Sequence, residues 1–381
     1  MPSSDSSHRA TDGGASGRAA RANPAMPTGP TASGANGARP ERSAPTAASP
    51  SPRRPTLADI QRAYEVVRPH VHHTPLLPSR TLSALTGARI ALKLENLQRA
   101  GVYKIRGATN KLARLTVEER ARGVITASAG NHAQGVALAA AALGVRCTIV
   151  MPTGAARAKV AATQGYGATV VLRGANYDAA YEHARTLQAR DGTVFIHAFD
   201  DPDIIAGQGT LGLEILADQP DVEAVVAGIG GGGLISGVAT AIKTLKPDVR
   251  VIGVQASGAA SMRAALDAGH LVTLPAVNTF ADGIATRRAG ELTFPIVREL
   301  VDDVVTVDDE EIIRAVLLLL ERCKQLVEGA GAAGLAALLS GKVKLAGKRT
   351  VVVVSGGNID LGTVGRFIQQ GPAARGGAVG E

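Results

Sequence analysis

The chain has 381 residues, of which 45% are apolar, enough for one large or two medium domains with a substantial core. Its formal net charge is +8, and half of that excess lies in the first 55 residues, which hold seven arginines and three acidic residues. Aromatic residues make up only 3% of the chain and no basic stripe follows the N-terminal segment, so nucleic-acid binding is disfavoured.

Two further features of the sequence indicate the cellular compartment in which the protein works. No apolar run approaches the roughly 18 residues that a membrane span requires. The two cysteines, Cys147 and Cys323, lie in a predicted strand and a predicted helix, where each suits a buried core position. The sequence therefore predicts a protein of the reducing cytoplasm, without membrane contact and without a disulfide framework.

Residues 1–55 are rich in Ser, Ala, Gly and Pro and show no hydrophobic period, so we expect a disordered tail there. Order is predicted to begin near Thr56, where apolar residues at helical spacing precede Pro69. His70, His72 and His73 follow. Because no acidic or cysteine partner lies near them, a loop entering the core is favoured over a metal site.

From there the pattern alternates between short β-branched runs and longer amphipathic segments, which is typical of parallel sheets covered by helices on both faces. The predicted strands are residues 88–95, 123–127, 146–152, 168–174, 193–199, 224–230, 249–255 and 350–360. The predicted helices are residues 105–115, 130–144, 155–167, 176–190, 204–218, 233–245 and 309–327, with 329–339 as a helix or a close-packed turn.

One lysine stands in an unusual local setting. Lys104 lies in the stretch KLENLQRAGVYKIRGA, between a loop and a predicted helix, with Gly107 close behind it. A lysine beside glycines at such a junction is a candidate Schiff-base nucleophile. Taken alone, a solvated surface lysine is the commoner case.

The stretch GIGGGGL follows a predicted strand and opens a helix. Amides of consecutive glycines at a helix N-terminus can converge on a phosphate. Gly228, Gly230 and Gly233 also satisfy the dinucleotide fingerprint, which requires an acidic residue at the end of the next strand. Gln255 stands there instead, so a monophosphate cradle is favoured over a dinucleotide site or a merely close-packed turn.

Two polar sites accompany these stretches. In SAGNHAQG, Ser128 and the amides after it could hold a carboxylate, and Asn131 could bond a phenolic oxygen; an Asn-capped helix start is the alternative. Ser355 ends the last buried strand, where open α/β sheets bind ligands, and its hydroxyl could pair with a ring nitrogen. A simple turn serine is equally compatible with that position. A lysine, a phosphate cradle and an Asn/His turn together suggest pyridoxal phosphate as cofactor.

With KLENLQ…YKIRGA, SAGNHAQG, GGGGL, ADGIA and SGGN in this order, the sequence resembles the threonine dehydratases (threonine ammonia-lyases) of the fold type II pyridoxal-phosphate enzymes, in their catabolic short form. The similarity runs from about Thr74 to Ile368. It implies a tryptophan synthase β-like α/β fold of two domains, each with a mostly parallel twisted sheet covered by helices. The implied large cofactor-binding domain comprises residues 56–121 and 193–368, the small domain residues 122–192, and a flexible tail residues 369–381.

The resemblance also implies a role for individual residues. Lys104 would be the Schiff-base lysine, Asn131 would bond the ring hydroxyl and Ser355 the ring nitrogen. The phosphate cradle would consist of Gly230, Gly231, Gly232, Gly233 and Leu234. The turn that takes the substrate carboxylate would consist of Ser128, Ala129, Gly130 and His132. The resemblance implies less strongly that Tyr103, Gly283 and Glu328 line the sides of the cofactor ring.

The implied reaction is deamination of L-threonine to 2-oxobutanoate and ammonia by β-elimination, with L-serine as a second substrate. The resemblance further implies a homodimer or homotetramer that acts on a free amino acid. Because only about a dozen residues follow Ile368, we expect no C-terminal regulatory domain.

Three departures from the family pattern bear on these expectations. Val102 stands where the family usually has a serine. Ala129 stands where the related serine racemases carry the serine that acts as acid on the opposite face, which disfavours racemisation. Gln255 stands where those racemases have an acidic metal ligand, and Ser261 stands near the position of another. Neither residue is acidic, so no divalent metal site is expected.

Three alternatives remain open. A serine racemase-like or hydroxyaspartate dehydratase activity would keep the same family. An NAD-dependent oxidoreductase would use the loop from Gly228 to Gly233. A ligand sensor that kept the fold without catalysis has only Val102 in its support.

Overall fold

The computed structural model describes residues 53–370. Its strands are β1 (Leu76–Pro78), β2 (Arg89–Leu94), β3 (Val124–Ala127), β4 (Cys147–Met151), β5 (Thr169–Leu172), β6 (Val194–Phe195), β7 (Ala224–Gly228), β8 (Arg250–Ala256), β9 (Asp303–Val307) and β10 (Arg349–Val354). Its α-helices are α1 (Leu57–Val67), α2 (Arg80–Thr86), α3 (Lys104–Ala113), α4 (Val117–Arg122), α5 (Asn131–Ala142), α6 (Arg157–Gly165), α7 (Tyr177–Asp191), α8 (Pro202–Asp218), α9 (Gly233–Leu245), α10 (Ser261–Ala268), α11 (Thr293–Leu300), α12 (Asp309–Cys323), α13 (Gly329–Leu339) and α14 (Leu361–Gln370).

The strands form two sheets. The larger has the order β1-β2-β10-β7-β8-β9 and is parallel except for β1, which pairs antiparallel with β2. The smaller has the order β5-β4-β3-β6 and is parallel throughout. Parallel strands need crossover connections, and helices supply them here. The predicted α/β class with mostly parallel sheets is therefore confirmed.

Both faces of the larger sheet are buried, which explains the unbroken valine run in β10. Val352 and Val354 face one core cluster with residues of α12 and α13. Val351 and Val353 face a second cluster with residues of α8 and α9. Because side chains alternate between the two faces of a strand, only a strand covered on both sides is apolar at every position.

The smaller sheet lies between α5 on one face and α7 on the other. Ile149 and Met151 of β4 pack in a cluster with α3 and α5. Val150 packs with Ala180 and Ala184 of α7. This sheet falls within residues 124–195, while the domain boundaries at residues 122 and 192 stay a prediction.

The structure differs from the sequence prediction at several elements along the chain: the strand predicted over residues 193–199 is only Val194–Phe195, and the strand predicted over residues 350–360 ends at Val354. Helix α12 ends at Cys323 rather than at residue 327, because Lys324 takes a left-handed conformation (φ 58°) and the amide of Gln325 closes onto the carbonyl of Leu319. Strands β1 and β9 and helices α4, α10, α11 and α14 were not predicted from the sequence.

The predicted tails lie mostly outside the described residues, namely 1–52 and 371–381. At the N-terminal boundary, Arg54 of the predicted tail pairs with Glu299 at 2.5 Å, so this residue contacts the folded part. At the C-terminal boundary, α14 continues through Gln370, two residues into the predicted tail.

Candidate active site

Lys104 is the first residue of α3, at the carboxyl ends of the strands of the larger sheet. The amide of the preceding Tyr103 donates to the carbonyl of Ser355, just beyond β10, at 3.1 Å. The Nζ of Lys104 donates to the carbonyl of Ala198 at 2.9 Å and lies 5.2 Å from the centre of the Tyr103 ring. Gly135 of α5 faces the lysine backbone: a Cβ there would lie 3.1 Å from the carbonyl carbon of Lys104.

A buried ionic network holds the helix that carries Lys104. The guanidinium of Arg106 is fully buried and donates to both carboxylate oxygens of Glu95, at 2.7 and 2.8 Å. It also donates to both oxygens of Glu214 in α8, at 2.6 and 2.9 Å. Two bidentate pairs fix a planar guanidinium in position and direction. The first turn of α3 is thereby tied to the end of β2 and to α8.

Lys93 completes this network from β2. Its buried ammonium lies 2.9 Å from Glu214 and 2.9 Å from Asp218, and it donates to the carbonyl of Thr74 at 2.7 Å. Burial acts to raise the pKa of Glu95, but the charge and hydrogen bonds of Arg106 hold that pKa below its ordinary value. The KLENLQ and KIRGA motifs thus supply a charge-compensated support for the lysine, a role that the sequence did not reveal.

The glycine-rich loop connects β7 to α9. Gly232 has a φ of +100°, which only glycine adopts readily. A Cβ on Gly231 would enter the ring of Phe199, and one on Gly233 would lie 2.9 Å from the Phe199 backbone. Larger residues are excluded at these two positions because another part of the chain already occupies the outer side of the loop.

The end of this loop and the start of α9 present amide groups without acceptors among the described protein atoms. In the part of the chain that the structure describes, the amides of Gly233, Leu234 and Ile235 in the first turn of α9 donate to no protein acceptor. They carry the partial positive charge of a helix N-terminus. Such an arrangement fits a phosphate.

The turn before α5 contains the second predicted ligand site. The amide of Ser128 donates to the carbonyl of Val150 at 3.1 Å, and the Ser128 hydroxyl accepts from the amide of Gly130 at 3.2 Å. Asn131 is the first residue of α5, and it makes no side-chain cap there. The alternative of an Asn-capped helix start is therefore wrong, since the Asn131 side chain is turned to other partners.

Those partners are Glu328 and Asn358. The Nδ2 of Asn131 donates to Glu328 Oε1 at 2.7 Å, and its Oδ1 accepts from Asn358 Nδ2 at 2.9 Å. A Cβ on Gly283 would lie 3.2 Å from the same Glu328 oxygen. Burial raises the pKa of Glu328 to about 7, against the opposing effect of the Asn131 hydrogen bond. Residues 131, 283 and 328, which are far apart in sequence, thus meet at one point.

Ser355 lies directly after β10 and is 4% exposed. Its carbonyl accepts from Tyr103, whereas its hydroxyl makes no hydrogen bond to any described protein atom. The next residue, Gly356, pairs with Val102 in an isolated antiparallel bridge. A Cβ on Gly356 would lie 2.6 Å from Glu328 Oε1 and 3.1 Å from a methyl of Val102. Val102 therefore adds apolar surface near Glu328.

His132 differs from the other predicted site residues. Its ring is 5% exposed, and its Nε2 lies 3.1 Å from the carbonyl of Ile196. Burial and the charge of Lys104 lower the pKa of His132 to about 3, so the ring is neutral. These contacts are structural, and the role of His132 in substrate binding stays a prediction.

Gln255, the residue that weakened the dinucleotide interpretation, is fully buried. It donates to the carbonyls of Ile229 and Ala259, both at 3.3 Å, and accepts from the amide of Arg263 at 2.9 Å. The side-chain amide of Gln255 is thus used in hydrogen bonds that hold the loop after β7. Among residues 53–370, no group of three or more His, Cys, Asp or Glu side chains could hold a metal ion.

Comparison with known proteins identifies the family. The sequence model described as "Pyridoxal-phosphate dependent enzyme" matches residues 67–356. The chain is 52% identical to the L-threonine ammonia-lyase of Thermotoga maritima over 316 residues, covering 83% of this chain and 79% of that protein. It is 47% identical to the catabolic L-threonine dehydratase of Escherichia coli K12 over 311 residues, covering 81% and 94%.

The fold is also that of a related solved structure. Maize serine racemase superposes with a TM-score of 0.80 at 38% identity, covering 84% of this chain and 98% of that one. The chain belongs to the pyridoxal-phosphate dependent enzymes, and the predicted resemblance and cofactor are confirmed.

The residues present fit that cofactor. The glycine loop offers unpaired amides, and its glycines pack so closely on Phe199 and Thr293 that a Cβ would clash with them. Lys104 offers a primary amine, Ser355 a hydroxyl without a protein partner, and Asn131 an amide beside a buried carboxyl. In the stretch from residue 53 to residue 370, no helix is long and apolar enough to cross a membrane.

Proposed function

We propose that this enzyme deaminates L-threonine by β-elimination to 2-oxobutanoate and ammonia, and that it accepts L-serine as well. The observation that carries the proposal is that two adjacent residues connect the lysine with the glycine loop. The amine of Lys104 bonds the carbonyl of Ala198, and the neighbouring Phe199 packs on Gly231 and Gly233. The names of the relatives from Thermotoga maritima and Escherichia coli support threonine as substrate.

In this proposal each side chain has a distinct task. Lys104 would hold the cofactor aldehyde, and the loop from Gly230 to Leu234 would hold its phosphate. Ser355 would offer the ring nitrogen a neutral hydroxyl, and Asn131 would bond the ring oxygen. Gly283 and Glu328 would line the ring, and Tyr103 lies beside the lysine. When bound, pyridoxal phosphate supplies an electron sink for the carbon from which a proton is removed.

The chain's own residues then handle the substrate and its proton. The turn at Ser128, Ala129 and Gly130 would bind the substrate carboxylate through the serine hydroxyl and through amides at the start of α5 that donate to no described protein atom, such as those of Ala129 and Asn131. The free amine of Lys104 would take the Cα proton as general base. The β-hydroxyl leaves as water, its added proton balancing the one taken from Cα, and a second water hydrolyses the dehydrated product to the keto acid and ammonia.

Serine racemisation is the second candidate, because maize serine racemase shares the fold. It requires an acid on the face opposite Lys104. Ala129, at the start of the α5 turn, has no proton to give. Incubation with L-serine should therefore yield pyruvate without D-serine, which chiral chromatography measures directly.

The lysine assignment is tested by substitution. Lys104→Ala should lower keto-acid release from L-threonine by at least about 10³-fold while leaving the circular dichroism spectrum unchanged. Lys111→Ala, in the same helix, is the matched control, because its amine pairs with Asp201 and Asp203 at 2.7 and 3.2 Å. Borohydride reduction should attach the cofactor to Lys104. Undiminished activity of Lys104→Ala, or a label on another residue, would contradict the proposal.

We further propose a cytoplasmic homodimer or homotetramer that binds neither membranes nor nucleic acid. Light scattering of the purified protein should give two or four times the mass of one chain. A single-chain mass at micromolar concentration would rule the oligomer out.

A further inference from the structure

Helix α11 begins beside the glycine-rich loop and touches it through one hydroxyl. Thr293, the first residue of α11, is fully buried. Its hydroxyl donates to the carbonyl of Gly231 at 2.5 Å. The same hydroxyl accepts from the amide of Gly290 at 3.0 Å. Its other acceptor, the carbonyl of Gly290, is farther away at 3.4 Å, so the loop carbonyl is the better partner for its proton. No motif in the sequence marked this threonine.

The threonine is itself held from the opposite side by Asp200. The Asp200 carboxylate accepts from the amides of Glu291, Leu292 and Thr293, at 2.9, 2.9 and 3.3 Å. A carboxylate that accepts several amides at a helix start stabilises that start. The backbone at Thr293 is therefore fixed in relation to residues 197–201.

Residues 197–201 also touch both ends of the cofactor site. The carbonyl of Ala198 accepts from Lys104, and Phe199 packs against Gly231 and Gly233. Asp200 is the next residue. One short segment thus contacts the lysine and the outer side of the glycine loop, and it anchors the threonine that bonds the loop.

The hydrogen bond to Gly231 has a geometric consequence. A trans peptide is planar, so the carbonyl of Gly231 and the amide of Gly232 point in opposite directions. Because the carbonyl of Gly231 points at Thr293, the amide of Gly232 points away from Thr293. The same carbonyl also accepts from the amide of Gly290, but at the longer distance of 3.3 Å. Without the Thr293 bond, only this longer contact would hold the peptide before Gly232, and that residue, at φ +100° and without a Cβ, could rotate at little steric cost.

Resting on the proposed function, we propose that Thr293 is a positioning residue for phosphate binding. Its hydroxyl holds the Gly231–Gly232 peptide in the orientation that presents the Gly232 amide to the cofactor phosphate. The residue does not touch the cofactor itself. Its contribution is selective for the phosphate and does not extend to the aldehyde or the ring.

The selectivity provides the test. Apoprotein is titrated with pyridoxal phosphate and, separately, with pyridoxal, which has the same aldehyde and ring but no phosphate. Thr293→Val keeps the shape of the side chain and removes the donor. It should weaken pyridoxal phosphate binding about tenfold, equivalent to about 1.4 kcal/mol, and leave pyridoxal binding unchanged. The phosphorus-31 resonance of the bound cofactor should shift as well.

Two further variants separate positioning from general stability. Thr240→Val removes a buried threonine hydroxyl in α9 that donates to the carbonyl of Ser236 at 2.7 Å, and it should leave both affinities unchanged. Thr293→Ser restores the donor and should recover most of the phosphate affinity.

The inference is overturned if Thr293→Val binds pyridoxal phosphate as wild type does. It is equally overturned if that variant loses affinity for both aldehydes in parallel, because the effect would then be general. A wild-type protein that binds pyridoxal phosphate no better than NADH would instead overturn the proposed function.

Discussion

At the scale of single residues, Glu328 shows how the site changes the chemistry of a common side chain. Its carboxyl is 4% exposed, and its surroundings include Gly283, Gly356 and the amide of Asn131. Lys324, four residues earlier, ends α12 in a left-handed conformation, and Glu328 then precedes the first residue of α13. The turn that breaks the helix thus places the carboxyl beside Asn131 and Gly283.

The raised pKa of Glu328 predicts how stability depends on pH. Because the folded carboxyl titrates at about 7 and its ordinary value is 4.5, the folded state binds this proton more tightly than the unfolded state. Its contribution to stability therefore falls as pH rises from 4.5 to 7 and stays lost above that range. Glu328→Gln removes this ionisation. The free energy of unfolding of the variant, relative to that of wild type, should therefore rise by roughly 3 kcal/mol between pH 4.5 and pH 8.

Urea unfolding of the two apoproteins at both pH values measures this difference. Glu65→Gln on α1 is the control, since that exposed side chain forms only a surface ion pair with Arg68 and should matter by less than about 1 kcal/mol. A Glu328→Gln variant whose relative stability is the same at both pH values would contradict the assignment.

At the scale of elements, α8 is built to pack closely on both sides. Gly207 faces α3: a Cβ there would lie 2.6 Å from the Cα of Gly107. Gly209 faces α9: a Cβ there would lie 2.9 Å from the carbonyl of Gly237. Glycines that weaken a helix when considered alone here allow three helix backbones to approach one another. This brings the helix of Lys104 close to the helix that follows the glycine-rich loop.

This close approach predicts opposite effects for the same substitution at two helical glycines. Gly237→Ala should lower the free energy of unfolding by roughly 1–3 kcal/mol, because its Cβ would lie 2.5 Å from the amide nitrogen of Gly209. Gly365→Ala in α14 should raise it by about 0.5–1 kcal/mol, because a Cβ there meets nothing within 4 Å. Thermal unfolding compares both with wild type, and equal effects would refute the packing argument.

At the scale of the whole molecule, ion pairs connect the helices of the smaller sheet to the segment after α10. Lys159 of α6 pairs with Asp282 at 2.7 Å, and Asp178 of α7 pairs with Arg287 at 3.0 Å. The same segment carries Gly283 beside Asn131 and Glu328. The site therefore draws on residues attached to both sheets, and its occupant should stabilise the fold as one unit.

Ligand-linked stability tests this expectation. A ligand that binds only the folded state adds about 2.7 kcal/mol when its free concentration is one hundred times its Kd. Pyridoxal phosphate at such a concentration should raise the unfolding temperature of apoprotein by several degrees in a single transition. NADH at the same concentration should leave it unchanged. A rise with NADH alone would favour the dinucleotide interpretation of the Gly228 to Gly233 loop.

The sequence alone determined the local features of this protein. Strand and helix periodicity predicted the α/β class, because the spacing of apolar residues reflects which faces are buried. The motifs around Lys104, Asn131, Gly231 and Ser355 indicated the cofactor, because each lies in one short stretch whose residue types suit one task.

Only the tertiary structure decided which distant residues meet. Glu328 joins Gly283 and Asn131, and Thr293 bonds Gly231, through contacts that no periodicity encodes. Likewise, nothing in the sequence indicated that Arg106 is buried between Glu95 and Glu214. The physical reason is that burial and partnership depend on how elements pack, and packing joins residues whose separation in sequence carries no local signal.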